Sequence, residues 1–237
     1  MPITTIDTDS ISNIISQELS SLWEILDGEQ RRVLIDNFTL ITYKKNQVIY
    51  REGDTPKYIH CLLQGTVKKY KDGVVGRSQI IRLIRPIQYF GYRAYFADEH
   101  YVSSAAAVES STIGLIPMDI IDNLIRQNNQ LALFFIHELS HNLGRSDTKI
   151  VNLTQKHIRG RLAETLIALK DNYGLEDDES TLRVYLSRED LANMSNMTTA
   201  NAIRTLAAFV DEKIIIVDGR KIKIVEEEQL RQISHYG

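Results

Sequence analysis

The chain has 237 residues, 43% of them hydrophobic and 25% charged, which is the balance of a soluble globular protein with room for one large domain or two modest ones. A formal net charge of −3 means that bulk charge cannot supply affinity for nucleic acid, so any such affinity must come from local placement of cations. The one cysteine, Cys61, excludes an internal disulfide framework, a four-cysteine zinc site and an iron–sulfur cluster, which needs about four thiolates.

The first residues lack the basic region and apolar core of a signal peptide, and no apolar run approaches the roughly 20 residues that span a bilayer, so a cytoplasmic location without membrane contact is expected. From about Glu18 to Phe38 apolar residues recur at helical spacing (Leu19, Leu22, Trp23, Leu26, Val33, Leu34), and Asp27-Gly28 breaks the run into two short helices. From about Leu40 to Pro117 the texture changes to short apolar strings, ITY, VIY, YIHCLL, TVKKY, SQIIRLI, AAAVE and TIGLI, punctuated by glycines. That pattern predicts an antiparallel sandwich or barrel. His60 and Cys61 fall within one of these strands, where Cys61 reads as a small buried apolar residue.

Helical spacing returns with a short helix over 119–126 and a long one over 129–155. In the long helix Ile136, Leu143 and Ile150 recur every seven residues, and Ala132, Leu139, Ser146 and Leu153 repeat with an offset of three. This is a heptad seam sustained over about three repeats, the signature of a helix that pairs with a second copy of itself. Phe134 and Phe135 offer another apolar surface to the chain's own strands, which leaves the seam for a parallel homodimer. A further amphipathic helix, KHIRGRLAETLIALKDNYG, follows, and then LEDDES, which reads as a solvated acidic loop.

The segment LSREDLANMSNMTTANAIRTLAAFVDEKII carries two helix starts. Ser187 is an N-cap with Asp190 three residues on, and Thr198 can cap a second helix whose Ala202, Leu206 and Phe209 face inward. Asn196 falls where the intervening turn needs a residue tolerant of positive φ. Two helices joined this way form a helix-turn-helix, whose second helix can enter the DNA major groove. The following IIIVDGRKIKIV alternates around Asp218-Gly219, a hairpin turn with Arg220, Lys221 and Lys223 at its tip, so the whole reads as a winged helix-turn-helix. Residues after His157 include more acids than bases, so DNA binding must rest on Arg188, Arg204 and the wing cations sharing one surface.

One motif points elsewhere. HELSHNLGRSD, from His137 to Asp147, resembles a zinc-protease sequence, with two histidines one helical turn apart and a glutamate between them. The heptad pattern, however, runs on through Gly144. At roughly 100° per residue, Asp147 then points about 80° from His137 and about 120° from His141 and cannot complete the same site. Zinc hydrolysis is therefore the remote alternative. A cupin-type barrel enzyme would need clustered histidines on its strands, and His60 stands alone there.

A small barrel, a dimer helix and a winged helix-turn-helix in this order resemble the Crp/Fnr superfamily of bacterial transcription regulators. The resemblance runs from about Leu26 to the C-terminus. Three segments carry it: VIYREGDTPKYIHCLLQGTVKKY matches the family's early barrel strands, FGYRAYFADEHYVSSAAAV its phosphate-binding cassette, and LSREDLANMSNMTTANAIRTL its DNA reader. The resemblance implies an α+β chain made of an N-terminal jelly-roll-like antiparallel β-barrel that senses an effector (1–127), a dimerisation helix (128–155) and a DNA-binding domain (156–237). It implies phosphate contacts at Ser187, Arg188 and Thr198, base-edge contacts at Thr199, Ala200 and Arg204, an adenine or phosphate contact at Asn201, and Lys221 on the wing. In the cassette, Tyr92 and Val102 stand where the family's cyclic-nucleotide binders carry a glutamate and an arginine, so cyclic AMP is not the expected effector. Arg93, read along a strand, would face away from its neighbours. Gly91, Tyr92, Ser103, Ser104 and Ser146 are the candidate lining for another small molecule. Some members of the superfamily sense gases with a histidine-held haem, and His60, His100, His137 and His141 are the histidines available for that alternative. The family also implies contacts to RNA polymerase. Lys156–Arg161, the residues after the dimer helix, are expected to be the hinge through which the barrel repositions the recognition helices.

Overall fold

A computed structural model describes residues 8–73 and 76–236. The chain forms two compact units. The first takes in the described residues up to Lys71 together with Arg82–Gly144; the second takes in the described residues of Asp72–Ile81 and those from Arg145 onward.

The first unit opens with α1 (Thr8–Glu18), α2 (Ser20–Trp23) and α3 (Gly28–Asp36). The break expected at Asp27-Gly28 is a reciprocal cap: the Asp27 carboxylate accepts from the Gln30 N–H at 2.9 Å, and the Gln30 side chain accepts from the Asp27 N–H. Eight strands follow: β1 (Thr39–Tyr43), β2 (Val48–Tyr50), β3 (Tyr58–Gln64), β4 (Val67–Asp72), β5 (Ser78–Ile84), β6 (Gln88–Phe90), β7 (Ser104–Ala107) and β8 (Ser111–Pro117). They make two four-stranded sheets, ordered β1-β8-β3-β6 and β2-β7-β4-β5. The expected barrel is thus a jelly-roll-like pair of open sheets and not a closed cylinder. The short strand β6 had no clear pattern of its own in the sequence. The cassette stretch after it is a short helix, α4 (Tyr92–Phe96), where a strand was expected.

Alternation along β3 divides the core in two. Leu62 joins Tyr43, Tyr50, Val67, Ile84, Phe90, Ala105, Ala107, Ile113 and Leu115 between the sheets. Ile59 and Cys61 point the other way, into a second cluster under α1–α3 and the helices α5 (Met118–Gln127) and α6 (Asn129–Gln155). Cys61 is fully buried there, and burial pushes its thiol far above the ordinary range, so it packs as a small apolar side chain. Leu131 and Phe135 anchor the start of α6 in the same cluster.

The second unit contains the rest of α6, α7 (Ile158–Tyr173), α8 (Arg188–Met194), α9 (Thr199–Asp211), the hairpin β9 (Ile215–Asp218) and β10 (Lys221–Ile224), and α10 (Glu227–Tyr236). The terminal helix α10 packs on α7 and buries Leu230 and Ser234. The acidic stretch LEDDES is not a free solvated loop. Leu175 bridges Leu182, and Thr181 bridges Lys223 of β10, so the segment extends the wing. The Asp178 carboxylate accepts from the Thr181 hydroxyl and the Ser180 and Thr181 N–H groups, and these bonds hold its pKa well below the usual carboxylate range.

Candidate nucleic-acid interface

Each helix of the helix-turn-helix starts where its cap residue places it. The Ser187 hydroxyl accepts from the Asp190 N–H at 3.0 Å, and the Thr198 hydroxyl from the Asn201 N–H at 3.2 Å. Between them Asn196 takes φ 49°, the left-handed value the tight turn demands. Ala202, Leu206 and Phe209 are buried on the inner face of α9, which leaves Thr199, Ala200, Ile203 and Arg204 exposed on its outer face. The Arg204 guanidinium donates to the Asn201 side-chain oxygen, so the two polar side chains are already aligned on that face. Ile203 is half exposed and was not singled out in the sequence. The available signal was its position, one residue out of register with the inward stripe.

The wing cations are more engaged than the sequence suggested. Lys221 pairs with Glu176 at 3.3 Å and lies over the Tyr185 ring, and Lys223 approaches Asp178 at 3.6 Å. Arg188 donates to the Gly219 carbonyl at 2.6 Å, tying the first helix to the wing turn, where Gly219 has φ 55°. Arg188 therefore acts first as a structural link. Several acids of this unit are likewise paired: Glu212 with Arg159, Glu227 with Lys170, and Asp171 with Arg231. Local pairing explains how an acidic segment can still present Arg204 on an exposed helix face.

The connection from α6 to α7, expected to be a hinge, is heavily bonded. The Arg161 guanidinium donates to the carbonyls of Leu153 and Lys156 on one side and of Ser195 and Asn196 in the helix-turn-helix turn on the other. Lys156 donates to Glu164, which also accepts from the Ser234 hydroxyl. Burial works against the Glu164 charge, but these bonds hold its pKa below the ordinary value.

Along α6, Ile136, Leu143 and Ile150 are 54%, 64% and 61% exposed, an apolar row that none of the described residues covers. Leu139, placed on the seam by the heptad, packs partly against the helix-side core, and Leu153 is half-buried. The Lys149 ammonium donates to the Ile80 and Ile81 carbonyls at 2.8 and 2.9 Å, and burial lowers its pKa to about 8.

In the first unit, Gly91 has φ 88°, and a Cβ there would lie 2.6 Å from His60 Nδ1 and 3.1 Å from the Tyr101 hydroxyl. Glycine is therefore required by backbone and neighbours alike. Neither of those buried polar atoms has a hydrogen-bond partner among the described residues. His60 stacks on Phe90 with centroids 4.9 Å apart, Tyr50 stacks on Tyr101 at 3.8 Å, and burial lowers the His60 pKa to about 4. The Tyr92 hydroxyl accepts from the Asn142 amide at 3.1 Å, and burial first, then Glu138, pushes its pKa up to about 12. Arg93 lies on α4 and pairs with Glu99 at 2.8 Å, so the strand argument for its direction does not apply. Ser103 and Ser104 are buried, and the Ser104 hydroxyl accepts from the Glu52 N–H. Ser146 is exposed on the part of α6 that belongs to the second unit.

His137 and His141 are exposed on α6, which continues as a helix through Gly144, so Asp147 does not fold back towards them. His100 is exposed in the cassette loop, and the close approach of Gly91 fills one side of the His60 ring, where a haem would need room. Among the described residues no three histidine, cysteine or carboxylate side chains gather into a metal site, and no helix is long and apolar enough to cross a membrane.

Comparison with known proteins matches two families in tandem, a cyclic nucleotide-binding domain over residues 40–128 and a Crp-like helix-turn-helix domain over residues 160–233. The regulatory protein HlyX of Actinobacillus pleuropneumoniae is 27% identical over 188 residues, covering 79% of this chain and 78% of HlyX. The fumarate and nitrate reduction regulatory protein of Vibrio cholerae is 26% identical over 192 residues, covering 81% of this chain and 76% of its own length. In fold, the chain is similar to FixK2 from Bradyrhizobium japonicum, with a TM-score of 0.75 at 20% identity over 83% of this chain and 96% of FixK2.

Proposed function

The chain belongs to the Crp/Fnr superfamily, as a DNA-binding transcription regulator with an effector-sensing domain, and from that premise we propose that it acts as a homodimer whose two α9 helices read the half-sites of a twofold-symmetric operator. The observation that carries this reading is the outer face of α9, where Thr199, Ala200, Ile203 and Arg204 stand exposed on a helix capped at Thr198. In the major groove Arg204 reads guanine through O6 and N7, and Ile203 and Ala200 give apolar contact to a thymine methyl. Ser187, Thr198 and Asn201 sit at the helix starts, where backbone N–H groups and hydroxyls favour phosphate oxygens. Arg188 holds the wing in place, and Lys221 reaches phosphate once it leaves Glu176.

The exposed row Ile136, Leu143 and Ile150, with Leu139 and Leu153 at its edge, supports pairing of two α6 helices in parallel. That arrangement sets the recognition helices about one turn of DNA apart. The working division is a sensor over 1–127, the dimer helix over 128–155 and the DNA reader over 156–237, in the cytoplasm, with RNA polymerase as a further partner. An effector in the sensor lining, at Gly91, Tyr92, Ser103 and Ser104, shifts a two-state equilibrium of the dimer helices near Ser146–Leu153. Thr199 and Ala200 replace the arginine and glutamate of cyclic-AMP receptors, so the half-site differs from theirs.

Selection of bound sequences from random DNA, followed by binding measurements on the selected operator, tests the reading. Arg204→Glu should abolish specific binding while the dimer stays intact. Operator affinity that survived this change would show that α9 is not the reading helix.

A further inference from the structure

Two cations face the inside of the sensor sandwich. On β4, Val67 is fully buried in the core between the sheets, and Lys69, two residues on, shares its face. On the neighbouring strand β5, Ile84 belongs to the same core, and Arg82, two residues before it, shares that face. Lys69 is only partly accessible and makes no hydrogen bond or ion pair among the described residues. Burial, then Arg93 and Arg82, lower its pKa to about 8. Arg93 pairs with Glu99, and Arg82 donates to the Asn142 side-chain oxygen, so both neighbouring cations are engaged elsewhere while the Lys69 ammonium is not. An unpaired ammonium held inside a fold is costly, and hydrophobic residues fill such positions at lower cost. A charge placed there at a net loss of stability fits a ligand that brings the opposite charge.

We propose that the sensor unit binds a small oxyanion, bearing at least two negative charges, between Lys69 and Arg82. The proposal rests on the reading of this unit as an effector sensor and names the chemical class of the effector. These cations supply the charge that Val102 does not. The site is also wired to α6: Asn142 accepts from Arg82 and donates to the Tyr92 hydroxyl, so an anion that bonds to Arg82 competes with a bond made by α6 itself.

The test uses the full chain and titrates sodium phosphate or sodium malonate against sodium chloride at matched ionic strength, by calorimetry and thermal melting. Phosphate, malonate or both should bind and raise the melting temperature where chloride does not, and the arm that responds distinguishes a phosphate ligand from a carboxylate one. Lys69→Gln and Arg82→Gln should each weaken binding at least tenfold, whereas Lys71→Gln, at an exposed lysine paired with Glu52, should not. A second measurement needs no variant: in amine labelling read by mass spectrometry, the bound anion should protect Lys69 and leave Lys71 reactive. Absence of binding by both anions, equal binding in the wild type and Lys69→Gln, or labelling of Lys69 that the anions do not change would overturn the site. Saturation with no change in operator affinity would overturn the effector role. The binding and labelling arms use no DNA, so their failure is distinct from a failure of the operator reading, which the Arg204→Glu experiment decides.

Discussion

The Arg161 guanidinium donates to the Ser195 carbonyl at 2.9 Å, and through its other nitrogens it also holds the C-terminal end of α6. One side chain thereby ties the last turn of α6 to the turn of the helix-turn-helix. Arg161→Met leaves several partly buried carbonyls unpaired, and a cost of about 2–4 kcal/mol is expected. Urea unfolding should show it as a lower midpoint. Specific DNA affinity should fall with it, because the recognition helix loses its fixed attachment. An unchanged midpoint would mean that water replaces all of these bonds.

The wing acids set the charge available to DNA. Glu176→Gln and Asp178→Asn release Lys221 and Lys223. Each released cation that reaches a phosphate should steepen the dependence of log affinity on log salt by about 0.9. Fluorescence anisotropy on one duplex at several salt concentrations reads the slope. Tighter binding at low salt is expected for both variants, with little change in sequence preference.

Leu143→Glu places a charge in the middle of the exposed row on α6. Leu143 belongs to neither core cluster of the described residues, so the fold should survive while dimerisation is lost. Sedimentation equilibrium should give a monomer, and affinity for a two-half-site operator should fall far more than affinity for a single half-site. A stable dimer of this variant would place the interface elsewhere.

Ile203→Ser tests the apolar part of the recognition face. Loss of contact to a thymine methyl should cost about 1–3 kcal/mol at one base pair of each half-site and little at the others. Binding to operators substituted one position at a time checks it.

Lys69 has a sign that can be worked out in advance. Its folded pKa, about 8, lies below the ordinary lysine value of 10.5, so burying the charged form destabilises the fold. The penalty is fully present below pH 8 and is relieved as pH rises from 8 towards 10.5. By linkage it amounts to about 3 kcal/mol. Lys69→Met should therefore be more stable than the wild type near neutral pH, with a gap that narrows across that window. Denaturant titrations at a series of pH values, in chloride, measure the gap.

The DNA reader was legible in the sequence because its boundaries are local chemistry. Ser187 and Thr198 cap their own helices within three residues, and Asn196 supplies its own backbone angle. The α6 boundaries were legible for a similar reason, since a heptad is a one-dimensional pattern. What the sequence hid depends on partners distant along the chain. LEDDES looks solvated until Thr181 is seen to bridge Lys223, and Lys156–Arg161 looks like a linker until Arg161 is seen to reach Ser195. Lys69 and Arg82 lie in separate strings, and only the sheet order makes their strands neighbours. The helical form of Tyr92–Phe96 was missed because its five residues are too few to show a period.

The middle of strand β3, residues 59–62, has no watery side. Ile59 and Cys61 are enclosed under the helices, while His60 and Leu62 are enclosed on the opposite face of the strand. Most strands tolerate change at every other position, because alternate side chains meet solvent. In a saturation mutagenesis experiment 59–62 should instead form an unbroken run of intolerant positions. Drift that the surface of the sensor unit can absorb is closed to this strand, and the unit's evolutionary freedom lies in the positions around it.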